Sequence, residues 1–524
     1  MAHILVRNVL PGKSLQQDTP VPASGDTLAQ AVYLSGLFPP PALCSALGRC
    51  GRCRVRFLSA IPDPDNGEKD VLSHHALEQG WRLACRHKPL PGMHVELPRL
   101  DHASAVVARN AAAACAGLAV DLGTTSLHWQ GVGSAGDVVR QGVEVNPQMG
   151  AGSDIISRLA YAAQPGGRAR LRKLVLAALT RIVESFGGKT QECCLAANPA
   201  MTCIVLDKDT AGLASAPYSL EYAGGRLEQV PDLPPVWIPP LLSPFVGGDI
   251  AAGYAALTLG RNRADYPFLL ADLGTNGEFI LALSPETALA ASIPLGPALE
   301  GINLHCGTDA RHGAITAFHV TKDGLVPEVM GACGAVGICG AGYVSLLQCL
   351  LAVGILQPDG ALILSGHGKR AHPLAAKMGN VASGQADGMP GQAKLRLPGR
   401  MFLTAADVEE LLKVKAAFSL VVSRLLQVAS LPPARLKTVY VAGALGEHIP
   451  RGAMEALGFL PPGLGERTSA VGNASLAGAA LLLRCPETKD ALCAWAPKVA
   501  TLDLTVESNF LSSYVNHMTF NWNT

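Results

Sequence analysis

Three cysteines fall within ten residues in the stretch CSALGRCGRC, at Cys44, Cys50 and Cys53, and Cys85 in WRLACRHKP follows after 31 intervening residues. Four thiolates so spaced form a metal-binding set. A zinc ribbon pairs two short CxxC knuckles, whereas here only one pair is close and the first ligand sits on a longer, glycine-containing loop. A [2Fe–2S] centre suits this better, because its loop supplies three clustered ligands and the fourth comes from a distant segment. Cys44, Cys50, Cys53 and Cys85 are the expected metal ligands.

A second chemistry is written twice. LAVDLGTTSLHWQGV begins at Leu118 and LLADLGTNGEFILAL at Leu269, with Asp121 and Asp272 lying 151 residues apart. Each reads as strand, tight turn, strand. The turn glycine lets backbone N–H groups approach phosphate oxygens, threonine hydroxyls add donors, and an aspartate closing the strand can hold Mg²⁺ through water. Two copies behind apolar strands suggest a duplicated domain clasping one nucleotide. A third segment, LKTVYVAGALGEHIP from Leu436, runs an apolar strand into a turn compact enough for an adenosine to lie against bare backbone. Two better-known nucleotide signatures fail on context. GVGSAG, from Gly131, ends one strand and leads to another, so it is a hairpin turn; GGKT, from Gly187, follows a helical pattern and is a helix stop.

These groups need elements to hold them. DTLAQAVYLSG, from Asp26, carries apolar residues at helical spacing after an N-cap, and CRVRFL, from Cys53, alternates like a strand. Together with the x5 then x2 cysteine spacing, this resembles adrenodoxin-like ferredoxins. The three nucleotide motifs, in this order, resemble the actin and sugar-kinase ATPase superfamily. NPQ at Asn146, GSDIISR at Gly152, NPAMT at Asn198, FVGGDI at Phe245, GPALEG at Gly296, GICGAG at Gly337 and VGNASLAGA at Val471 bring the resemblance closer, to the reductive activases of corrinoid proteins.

That resemblance implies an α+β ferredoxin-like [2Fe–2S] β-grasp domain followed by an α/β actin-like ATPase made of duplicated ribonuclease-H-like halves. It implies ATP-dependent reduction of a Co(II) corrinoid to Co(I) by one electron from the cluster, with ATP and Mg²⁺ as further ligands. The implied partners are a corrinoid protein or corrinoid-dependent methyltransferase subunit and an upstream low-potential electron donor, with a homodimer as a further option. Asp121, Gly123, Thr124 and Thr125 match the first phosphate motif, Asp121 holding the Mg²⁺-bound water. Gly274, Thr275, Asn276 and Gly277 match the second, with Asp272 and Glu278 to orient the attacking water. Gly443, Ala444 and Gly446 match the adenosine motif. Lys415 lies on the apolar stripe of Val408, Leu411, Phe418, Val422 and Leu425 in a helix opened by the capping-box pair Thr404 and Asp407. A lysine there either snorkels or meets a ligand, which makes it a nucleotide-binding candidate.

The implied boundaries are 1–98 for the cluster domain, 99–116 for a linker inclined to partial helix that lets the cluster visit more than one position, 117–262 and 263–485 for the ATPase halves, an insertion at 360–399, and 486–524 for a C-terminal tail of which about the last 24 residues are extended. Longer family members carry a further domain before the first phosphate motif that this chain lacks. Cys306, Cys333 and Cys339 read as buried thiols at tight turns, and the histidines show no ligand-like spacing.

Composition agrees with this picture. With 524 residues, 49% hydrophobic and 16% charged, the chain can bury several cores. Lys plus Arg (42) balances Asp plus Glu (41), which gives no basic stripe for nucleic acid. The N-terminus lacks a signal-peptide core and no apolar run is long enough for a membrane. Fourteen cysteines then suggest a cytoplasmic protein with metal-bound or buried thiols. A small-molecule kinase would have no use for CSALGRCGRC, and a chaperone-like switch would need a client domain after the ATPase. An ATP-driven electron donor to another low-potential metalloenzyme is the nearer alternative.

Overall fold

The computed structural model describes residues 3–9, 16–41, 43–98, 107–108, 115–322, 324–331, 333–363, 380–381, 394–399, 401–443, 449–450 and 452–523. They divide into two compact units, 1–249 with 479–489 and 250–478 with 490–524. The division falls at Asp249 and Ile250, ahead of the expected junction near 262. Residues 479–489 join the first unit because Leu483 fills the space in front of Gly117 and Lys489 pairs with Glu192. No helix among the described residues is long and apolar enough to cross a membrane.

The first unit opens with a five-stranded sheet of β1 (His3–Val9), β2 (Gln16–Pro22), β3 (Arg54–Phe57), β4 (Trp81–Leu83) and β5 (His94–Glu96), in the order β2-β1-β5-β3-β4. A parallel β1–β5 pair at its centre and the helix Leu28–Tyr33 on its face make the β-grasp fold. Thr27 caps that helix by accepting from the Gln30 amide at 3.2 Å. Leu28, Val32 and Tyr33 bury its inner face against Ile4, Val6, Val55 and Val95. Met149, from the following domain, belongs to the same core.

Of the expected linker, residues 107, 108, 115 and 116 are described; the first two form a strand, β6 (Val107–Ala108), rather than a helix, and the last two open the next strand. β6 pairs with the edge strand β9 (Val138–Val145), where an open row of backbone groups competes with alanine's helical preference. The central strands are β7 (Cys115–Leu122), β8 (Ser126–Gly133) and β10 (Glu192–Ala197), joined by β11 (Arg226–Glu228) and β12 (Val236–Ile238) in the order β11-β12-β10-β7-β8-β9-β6. GVGSAG is the β8–β9 hairpin, and GGKT follows the end of the helix Gly167–Glu184.

The second unit repeats the plan. β13 (Phe268–Leu273), β14 (Asn276–Ser284) and β15 (Thr287–Pro294) are antiparallel neighbours, and the strands Thr438–Ala442 and Thr468–Ala470 continue in parallel beyond β13. The order third, second, first, fourth occurs in both sheets, followed by a further parallel strand, β12 in the first and Thr468–Ala470 in the second, which is the duplicated ribonuclease-H-like arrangement the echoed motifs imply. The 24-residue helix Ala405–Val428 lies on this sheet, with Phe418 edge-on to Phe279 at 5.1 Å. Thr404 and Asp407 form the reciprocal capping box at its start.

The C-terminal tail, 486–524, is folded, and about its last 24 residues are not extended. The tail forms the helix Glu487–Trp495, a strand Val499–Leu502 paired in parallel with β15, and the helix Phe510–Asn516, and Leu504 and Phe520 enter the apolar core of the unit. Of the insertion at 360–399, the strands Asn380–Val381 and Lys394–Arg396 extend a small sheet with Phe402–Thr404.

Candidate cluster and nucleotide sites

Cys44, Cys50, Cys53 and Cys85 line one cavity in the β-grasp domain. The loop that carries three of them is bent by residues in the left-handed region, Ser45 at φ +49°, Ala46 at +63°, Gly48 at +71° and Gly51 at +66°. Such a sequence turns successive amides inward to make a cradle for negative charge. The thiols touch in two pairs. The Cys50 thiol holds Cys44 down to about 5, burial works against it, and the amides of Cys50, Arg49 and Leu47 assist; Cys50 is raised in return. Cys85 raises Cys53 and is itself lowered by it. Four thiols lining one cavity, three on this loop and Cys85 from the segment Ala84–Arg86, fit a [2Fe–2S] group. Cys333 is exposed, against the expectation of a buried thiol, while Cys339 is buried at the start of the helix Gly340–Ala352. The His305 ring lies 3.0 Å from Asp407 Oδ1, a contact that belongs to the cap of the helix Ala405–Val428.

The first phosphate loop connects β7 to β8, with Asp121 next to last in β7. Its carbonyls are claimed from behind. Asn146 Nδ2 donates to the Gly123 carbonyl at 2.8 Å, the Asn146 amide donates to the Thr125 carbonyl at 2.8 Å, and Arg158 Nη2 donates to the Thr124 carbonyl. Asn198 Nδ2 donates to the Thr124 hydroxyl at 3.3 Å. Carbonyl dipoles that would repel phosphate are thereby occupied by donors. A side chain at Gly123 would press on the Ser126 carbonyl at 3.1 Å, so the tight turn favours glycine there. Asn146, Arg158 and Asn198 belong to motifs the sequence displays, yet their supporting role has no spacing signature.

The second loop connects β13 to β14. Asp272 and Glu278 are register partners across these strands, and Ser475 donates to Asp272 Oδ2 at 3.2 Å. Thr275 donates to Glu300 Oε1 at 2.8 Å and its carbonyl accepts from the Leu295 and Gly296 amides, so GPALEG braces this turn; Asn276 and Gly277 begin β14. Gly443 sits at φ +91°, where a Cβ would lie 2.7 Å from the Leu273 carbonyl and 3.3 Å from Asp272 Oδ1. The adenosine motif thus begins against the aspartate of the second loop. Ala444 and Gly446 lie outside the described residues. Lys415 goes elsewhere: it is fully buried, and its Nζ donates to the carbonyls of Asn521 at 2.6 Å and His517 at 3.2 Å. The residues that occupy it come from the C-terminal segment, more than a hundred positions away.

Comparisons with known proteins match three successive stretches of the chain. Residues 12–90 match the 2Fe-2S iron-sulfur cluster binding domain, 116–262 the RACo middle region and 267–524 the C-terminal domain of RACo, the ASKHA domain. The corrinoid activation enzyme RamQ of Eubacterium limosum is 27% identical over 423 residues, covering 77% of this chain and 70% of that protein. A solved structure described as a reductive activator for a corrinoid, iron-sulfur protein superposes with a TM-score of 0.66 at 23% identity, covering 99% of this chain and 98% of the other. A component of the Na(+)-translocating NADH-quinone reductase of Chlamydia pneumoniae shares 34% identity over 74 residues, 14% of this chain and 17% of that protein. With a cluster domain ahead of both RACo segments in series, the chain belongs to the family of reductive activases of corrinoid proteins.

Proposed function

We propose that this protein couples ATP hydrolysis to one-electron reduction of a protein-bound Co(II) corrinoid to Co(I). The observation that carries the reading is the joining, in one chain, of a four-thiol cavity to two braced phosphate loops on a duplicated sheet. When bound, a [2Fe–2S] group supplies one-electron transfer. Cys44, Cys50, Cys53 and Cys85 would hold that group; a low-potential donor outside this chain would supply the electron for cobalt, and ATP and water would become ADP and phosphate. Every gap of about 60 mV costs roughly 1.4 kcal/mol for one electron, and a plant-type cluster lies near roughly −400 mV. ATP is useful because it can favour the state of the complex in which cobalt is easier to reduce.

Within this reading Asp121 holds a Mg²⁺-bound water, Gly123, Thr124 and Thr125 receive phosphate oxygens, and Asp272 and Glu278 orient the attacking water. Gly274, Thr275, Asn276 and Gly277 form the second phosphate turn, and Gly443 with Ala444 and Gly446 admits the adenosine. A reducing compartment, the cytoplasm, suits a chain with fourteen cysteines. A pair of such chains is compatible with the chemistry and is not required by it. The test is substitution: Asp121→Ala and Asp272→Ala should each abolish ATP-dependent Co(I) formation and leave dye-mediated redox of the cluster unchanged. Wild-type rates in either variant would remove the nucleotide site from these loops.

A further inference from the structure

The motif GSDIISR lies where the β-grasp domain and the first ATPase half meet inside one compact unit. Ser45, the residue after the first cluster cysteine, donates its hydroxyl to Asp154 Oδ2 at 2.6 Å. The same hydroxyl lies 2.8 Å from the Ser153 hydroxyl and accepts from the Ser153 amide at 2.8 Å. Asp154 also caps the helix Ile155–Ala162, accepting from the Ser157 amide and hydroxyl at 2.8 Å each. Gly150, Ala151, Gly152 and Ser157 line the cavity that the four cysteines line. One turn along the helix, Arg158 is fully buried. Its Nε donates to the Gly152 carbonyl at 3.0 Å, its Nη1 to Gln148 Oε1 at 3.2 Å and its Nη2 to the carbonyl of Thr124 in the first phosphate loop.

A guanidinium is a rigid planar fork. Held in a close-packed interior, it moves as a unit with the carbonyls it grips. Displacement of the Thr124 carbonyl is therefore passed to the Gly152 carbonyl, two residues before Asp154. We propose that Asp154 and Arg158 are positioning residues that couple nucleotide occupancy of the first phosphate loop to docking of the cluster-binding loop through Ser45. This rests on the reading of residues 123–125 as a nucleotide loop. The coupling is reciprocal: the factor by which nucleotide changes docking is the factor by which docking changes nucleotide affinity.

The experiment uses the full chain with its cluster, under anaerobic conditions. Amide hydrogen exchange of segments 43–53 and 149–158 is measured with and without a non-hydrolysable ATP analogue, and the dissociation constant of that analogue is measured in parallel. Asp154→Asn retains a capping side chain but removes the carboxylate charge, and Ser45→Ala tests the same contact from the other side. In the wild type the analogue should alter exchange of 43–53. Each variant should erase that nucleotide-dependent difference, keep the visible absorption of the cluster, and shift the dissociation constant at least about fivefold. The sign is fixed by linkage: tighter binding if nucleotide exposes 43–53, weaker if it protects it. A merely structural role would raise exchange equally with and without analogue and leave affinity alone, which overturns the proposal. So does a wild type that binds the analogue with no change in 43–53. A wild type that does not bind the analogue overturns the nucleotide reading itself.

Discussion

Lys415 reaches the carbonyl of Asn521 at 2.6 Å from the middle of a helix whose other buried residues, Asp407 and Ser419 apart, are apolar. The ammonium ties the C-terminal segment to the second unit by donating to two of its carbonyls, of which that of His517 also accepts from the Thr519 amide. Lys415→Met should cost about 1–3 kcal/mol through loss of two hydrogen bonds from a charged donor and leave ATP-analogue affinity within twofold. Chemical denaturation and a binding isotherm on the same variant check both halves, and loss of binding in a stable variant would return Lys415 to the nucleotide site.

The same segment carries a pH response. His517 is buried against Ser419 and Lys415, and burial first, then the lysine's charge, holds its imidazole down to about 4 from an ordinary 6.5. Between those values the unfolded chain binds more protons, so stability is fully present above pH 6.5 and is lost as pH falls through about 4. Screening reduces the effect to about 1–2 kcal/mol. His517→Asn should flatten the fall in denaturation midpoint between pH 6.5 and 4, and an unchanged slope would contradict this.

Four cysteines should be unequal to the rest. Cys44→Ser, Cys50→Ser, Cys53→Ser and Cys85→Ser should each lose or destabilise a cluster of about two iron and two sulfide per chain, whereas Cys333→Ser, at an exposed position, should not. Iron analysis and the EPR signal after one-electron reduction decide it; four irons per chain would contradict the assignment.

Arg158→Lys keeps the charge but loses the fork. With a buried point charge in place of three directed bonds, the first unit should be destabilised by about 2–4 kcal/mol, and ATP-analogue affinity should fall at least fivefold because the Thr124 carbonyl is no longer drawn back. Full retention of affinity in a folded variant would show that the loop needs no such brace.

What can be read in the sequence follows chain distance. The cluster cysteines, both phosphate hairpins, the capping box at Thr404 and the duplicated sheet are each set by spacing within a few dozen residues or by an internal repeat. The partners of Lys415 and the contact of Ser45 with Asp154 join segments more than a hundred positions apart, and no local pattern encodes them. The C-terminal segment hides its order for a related reason: Val506, Leu511 and Val515 are exposed apolar residues, so the helix Phe510–Asn516 shows no clean amphipathic stripe, and pairing of Val499–Leu502 with β15 supplies the order that composition does not show. In the linker, an open sheet edge at β9 overrides alanine's preference.

The central claim is that hydrolysable nucleotide is required for the electron to reach cobalt. The direct measurement is a single turnover in which the chain, reduced beforehand by a chemical donor that is then removed, is mixed with a Co(II) corrinoid protein, and the Co(I) absorption band is followed with and without MgATP. The account predicts Co(I) formation only with MgATP, none with the non-hydrolysable analogue, and none from Asp272→Ala. Equal Co(I) yield without nucleotide would contradict it.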